Sequence, residues 1–294
     1  MKLPFAKMNG IGNRITVLDT RGTDATVDAG LARTLAADRA TEFDQLMVIG
    51  DPRTAGTDAF LAIYNTDGSM SAACGNGTRC VALYLTADAP RAALRLETEA
   101  GLLDTTFAAD GTITVDMGPP RFGWADIPLA HPVADTDALD LAFGPVDAPL
   151  LSAPAVASMG NPHAVFFVDD VEAYDLGRIG PILEHHPLFP QRANISLVRV
   201  TGPDAVTAKV WERGAGLTLA CGSAACAIAV LAARTGRTGR RVAVRLPGGT
   251  LDILWREDGN VLMSGPAAFE HRGTVGLDGG VSIMVGLLPA VQAV

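Results

Sequence analysis

The sequence predicts an α/β protein, more narrowly α+β, built as two pseudo-symmetric duplicated halves, each a mixed or antiparallel sheet wrapped around a central helix. Two observations carry this prediction. The segment LRLETEAGLLDTTFAADGTITVDMGPPRF at 94–122 recurs as VRLPGGTLDILWREDGNVLMSGPAAF at 244–269. Gly101 and Gly249, Asp104 and Asp252, Asp110 and Asp258, and Gly111 and Gly259 pair at an offset of 148, and Phe122 pairs with Phe269 at 147. The polar landmarks keep this register: Gly12-Asn13 with Gly160-Asn161, Gln45 with Asn194, Asn65 with Glu212, and Cys74 with Cys221. Self-similarity that stays in register over most of a chain marks two copies of one fold. The halves are expected at 1–118, carrying Cys74 and completed by the C-terminal segment 266–294, and at 119–265, carrying Cys221. The functional site is expected in the cleft between them.

The elements follow in order. Asp28 can cap a helix running to about Arg39, with Leu31 and Leu35 on one face. Strand-like runs come at 44–49 and 59–65, and Asn65-Thr66-Asp67-Gly68 is a turn signal. The run 75–87 has helical apolar spacing through Val81, Tyr84 and Leu85. Two strands then meet at a hairpin through Asp110-Gly111. The second half repeats the order, with a strand near 164–168, a helix near 176–184, strands around 195–200 and 205–211, a helix from Gly222 to about Arg234, and a hairpin through Asp258-Gly259. Because the strands are hairpin-linked, the crossovers of a doubly wound parallel sheet are not expected.

Composition narrows the function. The 294 residues are 48% hydrophobic and 19% charged, enough apolar material for a full core. A net charge of -9 argues against nucleic acid or an anionic membrane as partner, since both reward Lys and Arg. The N-terminus has no apolar run of the signal-peptide kind, and the long uncharged stretch 217–233 is made mostly of small residues. A soluble cytoplasmic protein is expected. Four cysteines in a chain this long do not make a disulfide scaffold, and their spacings are not those of a zinc site. Free thiols and no metal are expected.

Cys74 and Cys221 each stand directly before a predicted helix and are followed by glycine. The first turn of a helix carries unpaired N–H groups and about half a positive charge. A thiol there is expected to shift toward thiolate, and the same N–H groups bind carboxylates. Cys80 and Cys226 lie inside their helices among Ala, Val and Leu and read as core. Asn13, Asn65, Asn76, Asn161 and Asn194 are donor–acceptors suited to a ligand with ammonium and carboxylate groups, or simply turn formers. Glu212-Arg213 breaks the mirror, either as a surface ion pair or as recognition of a zwitterionic amino acid, with Glu212 on the ammonium and Arg213 on a carboxylate. His163 tunes a thiol or satisfies a backbone carbonyl.

The pieces FAKMNGIGN (5–13), FDQL (43–46), NTDGSMSAACGNGTRC (65–80), GNPHAV (160–165), AN (193–194) and ERGAGLTLACGSAACA (212–227) resemble the diaminopimelate epimerase family over essentially the full length. The resemblance implies cofactor-independent epimerisation of LL-2,6-diaminopimelate to the meso form, in lysine and peptidoglycan precursor synthesis, with Cys74 and Cys221 as the acid–base pair and His163 and Glu212 supporting them. It implies substrate contacts at Asn13, Gln45, Asn65, Gly75, Asn76, Asn161, Asn194, Glu212, Arg213, Gly222 and Ser223, no cofactor, and a homodimer. Two departures stand out: Arg14 where an acidic residue usually follows Gly-Asn, and Ser223-Ala224 in place of the usual Thr-Gly. The alternatives are a proline or hydroxyproline racemase of the same fold, a non-catalytic amino-acid-binding module, and a redox switch working through a Cys74–Cys221 disulfide.

Overall fold

The computed structural model describes residues 1–71 and 74–284. Ala72, Ala73 and the last ten residues of the 266–294 segment therefore lie outside the described residues. In chain order the elements are β1 (Lys2–Gly10), β2 (Asn13–Asp19), α1 (Ala29–Ala37), β3 (Gln45–Gly50), β4 (Ala59–Asn65), β5 (Met70–Ser71), α2 (Gly75–Thr86), β6 (Ala93–Thr98), β7 (Gly101–Phe107) and β8 (Ile113–Asp116). Then come β9 (Ala142–Phe143), β10 (Leu151–Ser152), β11 (Ala155–Ser158), β12 (Pro162–Phe167), α3 (Leu176–Glu184), β13 (Asn194–Gly202), β14 (Ala205–Glu212), β15 (Gly216–Thr218), α4 (Gly222–Arg234), β16 (Arg241–Leu246), β17 (Gly249–Trp255) and β18 (Val261–Gly265). Strands β19 (Ala268–Gly276) and β20 (Val281–Met284) end the described chain. Two units form: Met1–Asp116 with Ser264–Val294, and Met117–Met263.

In the first unit, alternation along the strands sorts side chains onto two helices. Met47 and Ile49 of β3, with Leu61 and Ile63 of β4, join Ala6, Met8, Ile15 and Val17 around Cys80, Val81 and Ala82 of α2. Leu46 and Val48, one residue out of phase, join Phe5, Leu18 and Tyr64 against Leu31, Ala32 and Leu35 of α1. The Asp28 carboxylate caps α1 by accepting from the Leu31 N–H at 2.8 Å. Helix α2 packs on β1, β2, β3 and β8, so the sheet wraps it.

The second unit repeats this plan. Ala164 and Phe166 of β12 and Ile195 and Leu197 of β13 pack with Leu176, Ile179 and Leu183 of α3. Helix α4 packs on β11, β12, β13, β16 and β17. Gly222 and Ala224 to Ala232 are all buried, the signature of a helix apolar on every side. Its alanines let the strands approach closely.

The sheet is mixed, as expected, but it contains helical crossovers that the hairpin-linked strands argued against. Strands β2 and β3 pair in parallel, as do β4 and β6, β12 and β13, and β14 and β16. The pairs are bridged in sequence by α1, α2, α3 and α4 in turn, so these helices are local crossovers inserted between antiparallel neighbours. The hairpin β1–β2 was absent from the strand signals. Its two-residue loop puts Ile11 at φ 56° and Gly12 at φ 86°, and a β-branched residue in that region conceals the turn.

Helix α3 meets β14 at unusually close range. A Cβ added at Gly180 would lie 2.5 Å from Cγ and Cδ2 of Trp211 and 2.9 Å from its Cβ, near the rigid base of that side chain. Gly180→Ala is expected to destabilise the chain by about 1–3 kcal/mol, the usual cost of overpacking, despite alanine's better helix propensity. Thermal unfolding checks this; an unchanged or raised Tm contradicts it.

Candidate active site

In the first unit the predicted residues gather at one end of the sheet. Asn13 opens β2, Gln45 opens β3, and Asn65 closes the antiparallel β4, where it is the register partner of Gln45. Cys74 is the N-cap of α2, its sulfur accepting from the Gly77 N–H at 3.2 Å. Gly75 is buried, as is Asn76, whose Oδ1 has no hydrogen-bond partner among the described residues. The backbone of Gly10, just before the strained Ile11-Gly12 turn, approaches Asn76 so closely that an added Cβ would stand 3.2 Å from its side chain. The Asn13 amide donates to Asp44 Oδ2 at 3.3 Å, and the Asn65 amide to Ser69 Oγ at 3.0 Å.

The second unit places Asn161 just before β12, Asn194 at the start of β13, Glu212 at the end of β14 and Cys221 as the N-cap of α4. Here the side chains form a directed chain. His163 Nε2 lies 2.8 Å from Asn161 Oδ1, the Asn161 amide nitrogen donates to Ser223 Oγ at 3.3 Å, and Ser223 Oγ lies 3.6 Å from Cys221 Sγ. Because Asn161 gives its N–H to Ser223, its carbonyl oxygen accepts, and His163 must carry its proton on Nε2. The other ring nitrogen, Nδ1, is then a bare acceptor, buried without a hydrogen-bond partner among the described residues. The His163 and Asn161 N–H groups donate toward Ser223, and either member of the Ser223–Cys221 pair can donate to the other.

Electrostatics corrects the expectation that each helix entrance favours thiolate. Burial pushes the Cys221 thiol well above the ordinary thiol range, and the Glu212 carboxylate beside it adds to the effect. The Ser223 hydroxyl pulls the other way without overcoming it. With 6% of its surface exposed, Cys221 loses more from desolvation than the helix terminus returns. Cys80, in the core as expected, is pushed to about 12 by burial. Burial, and secondarily the Arg213 charge, lowers His163 to about 3, so the ring is neutral. None of the cysteines is in a disulfide among the described residues, and no group of three or more His, Cys, Asp or Glu there could hold a metal.

The sequence comparisons fit this geometry. The family model for diaminopimelate epimerase matches residues 5–123 and 155–270. The chain belongs to the diaminopimelate epimerase family. It is similar to the diaminopimelate epimerase of Brucella canis, 58% identical over 274 residues that cover 93% of this chain and 90% of that one. The diaminopimelate epimerase of Brucella anthropi is likewise 58% identical, over 93% of this chain and 91% of that one. Among solved structures, a hydroxyproline epimerase from Agrobacterium vitis with bound trans-4-hydroxy-L-proline aligns with a TM-score of 0.65 at 16% identity, covering 98% and 97% of the two chains. A phenazine biosynthesis protein of the PhzF family from Enterococcus faecalis aligns at 0.63 and 14%, covering 94% and 100%. At those identities the likeness is one of fold.

For a member of the diaminopimelate epimerase family, the two departures find local partners. The Arg14 guanidinium is tied back by Asp44 at 2.8 Å and Glu42 at 3.3 Å. Ser223 keeps the hydroxyl that reaches Cys221. Asn194, expected at the ligand, is 2% exposed and already engaged: it donates to Pro162 O at 2.9 Å and accepts from the Arg213 N–H at 3.0 Å. Sequence reasoning missed Asp44, which holds Asn13 and Arg14 together, and Thr218, whose hydroxyl donates to Glu212 Oε1 at 2.5 Å. Asp44 stood inside the quoted FDQL segment; Thr218 left no signal.

A buried neutral histidine has a thermodynamic signature. In the unfolded chain His163 takes up its proton near pH 6.5, whereas in the folded chain it resists until about 3. Between those values the unfolded state holds more protons, so stability falls as pH falls, by on the order of 1 kcal/mol per unit. In His163→Gln this contribution vanishes. The Tm gap between the natural chain and the variant should therefore shrink on acidification from pH 6.5 to 4.5; a gap independent of pH contradicts a neutral buried ring.

Proposed function

We propose that the chain converts LL-2,6-diaminopimelate to meso-diaminopimelate by a cofactor-independent two-base reaction in which Cys74 and Cys221 exchange protons with the substrate α-carbon. The observation that carries the reading is the recurrence, in two topologically matching units, of a cysteine as N-cap of the helix its sheet wraps. Inverting a stereocentre through a carbanion needs one group to remove the α-proton from one face and another to return a proton to the opposite face. Two thiols, one thiolate and one protonated, fill both roles and exchange them on the reverse reaction.

The unequal settings of the two sulfurs support a division of the resting roles. Cys74 accepts an N–H bond, which a thiolate uses better than a thiol, and is the base. Cys221, held protonated by burial and by Glu212, is the acid. When Cys221 gives up its proton, the Ser223 hydroxyl donates to the thiolate left behind, and Asn161 and His163 hold that hydroxyl in position. The α-hydrogen is less acidic than a thiol by on the order of ten pKa units, about 14 kcal/mol of barrier. N–H groups at the helix entrances, around Gly75, Asn76, Gly222 and Ser223, offset part of this by binding the α-carboxylate as charge moves onto it. Glu212 takes an ammonium and Arg213 the distal carboxylate, with Asn13, Gln45, Asn65, Asn161 and Asn194 around them. The family supports a cytoplasmic homodimer serving lysine and peptidoglycan precursor synthesis.

Deuterium uptake at the α-carbon, measured in D2O without added cofactor, tests the reading. LL-diaminopimelate should exchange and epimerise while proline does not; the reverse preference favours the racemase alternative. Cys74→Ser and Cys221→Ser should each lower turnover by at least about a thousandfold with a Tm within a few degrees of the natural chain's. Full epimerisation by either variant rejects the two-base scheme.

A further inference from the structure

Glu184 closes α3, is 3% exposed, and has no place in the acid–base chemistry. A carboxylate so deeply buried must be repaid by partners. Its Oε2 accepts from the Trp211 indole N–H at 2.7 Å. Its Oε1 accepts from the Gly214 backbone N–H at 2.9 Å and from Arg192 Nη1 at 3.4 Å. Trp211 and Gly214 flank Glu212-Arg213, where β14 ends and the turn to β15 begins. The same carboxylate therefore grips both ends of the segment that presents Arg213.

Other contacts complete the frame. The Arg213 N–H donates to Asn194 Oδ1 at 3.0 Å, and its guanidinium Nη1 donates to the Gln191 carbonyl at 3.1 Å. Trp211 is pressed between Gly180 of α3 and Gly216, where an added Cβ would lie 3.5 Å from the far edge of the indole. Arg192 holds φ at 60°, a conformation that non-glycine residues adopt only where the surroundings impose it, while its guanidinium reaches Glu184. Arg192 and Arg213 repel each other, and Glu184 is the negative charge that offsets this.

We propose that Glu184 is a positioning residue for substrate recognition: it fixes the Trp211–Gly214 segment so that the Arg213 guanidinium is held ready for the distal carboxylate of the diamino-dicarboxylate substrate. The proposal rests on the reading of Arg213 given under Proposed function. It specifies a division of labour, since a residue that only orients a carboxylate anchor acts on binding and leaves the proton transfers alone.

Glu184→Gln keeps the shape but not the function. A glutamine has one acceptor oxygen where two donors, the indole and the Gly214 N–H, point at opposite carboxylate oxygens, so its amide must face one of them donor to donor. Steady-state kinetics on LL-diaminopimelate should show KM raised about tenfold with kcat within about twofold of the natural chain's. A purely structural role would lower kcat through a smaller active fraction and leave KM unmoved; that result, or an unchanged KM, overturns the proposal. If the natural chain itself does not epimerise diaminopimelate, the functional reading fails first and the proposal with it. Should Glu184→Gln not fold, amide exchange in the natural chain decides. The Gly214 N–H, on an exposed glycine, should exchange about a hundredfold slower than a free peptide, and exchange at the free rate overturns the proposal.

Discussion

Helix α4 is buried on every side, and that burial sets two opposing pressures on the cysteine at its N-cap. The helix terminus offers unpaired N–H groups and partial positive charge, which favour an anion. The surrounding sheet removes water, which disfavours one. At Cys221 the second pressure is larger, and the Glu212 carboxylate reinforces it, so the sulfur keeps its proton. On the reading proposed above, that proton is the one delivered to the substrate. The chain from His163 through Asn161 leads to Ser223, whose hydroxyl lies 3.6 Å from the sulfur.

The duplicated topology and the different settings of the two thiols belong together. On the reading proposed above, one thiol must hold its proton while the other has lost it, so a difference between their settings fixes which is which. Departures from the repeat supply the difference. Glu212 stands where the first unit has Asn65, so only one thiol has a carboxylate at that register position. Cys74 accepts from the Gly77 N–H at 3.2 Å, whereas at Cys221 the pull of the Ala224 N–H and of the Ser223 hydroxyl is outweighed by burial and by Glu212. Glu184 holds the segment from Trp211 to Gly214, which carries Glu212 where the first unit has Asn65.

Much of the fold was legible because it rests on local signals written twice. Asp28 announced α1, the Asp-Gly pairs marked hairpin turns, and a Gly-flanked cysteine marked the start of α2 and of α4. The parallel pairings were hidden because no short stretch encodes which strand a helix returns to. The β1–β2 turn was hidden because Ile11 takes a backbone conformation that its side chain argues against. Candidate site residues could be named from motifs, but their surroundings could not. That Cys221 is held as a thiol, that Asn194 is already engaged, and that Glu184 grips the Trp211–Gly214 segment all follow from burial and long-range contact. Neighbours in sequence do not encode either.

The most direct test of the account is a titration of the two cap sulfurs in one sample, following the Cβ resonances of isotope-labelled cysteine, with Cys74→Ser and Cys221→Ser giving the assignments. The account predicts that Cys221 ionises only above the ordinary thiol range, and that Glu212→Gln moves its titration to lower pH by removing the carboxylate that opposes the thiolate. A Cys221 resonance that titrates at or below the ordinary range, indifferent to Glu212→Gln, would contradict the claim that burial and Glu212 hold this sulfur as the acid.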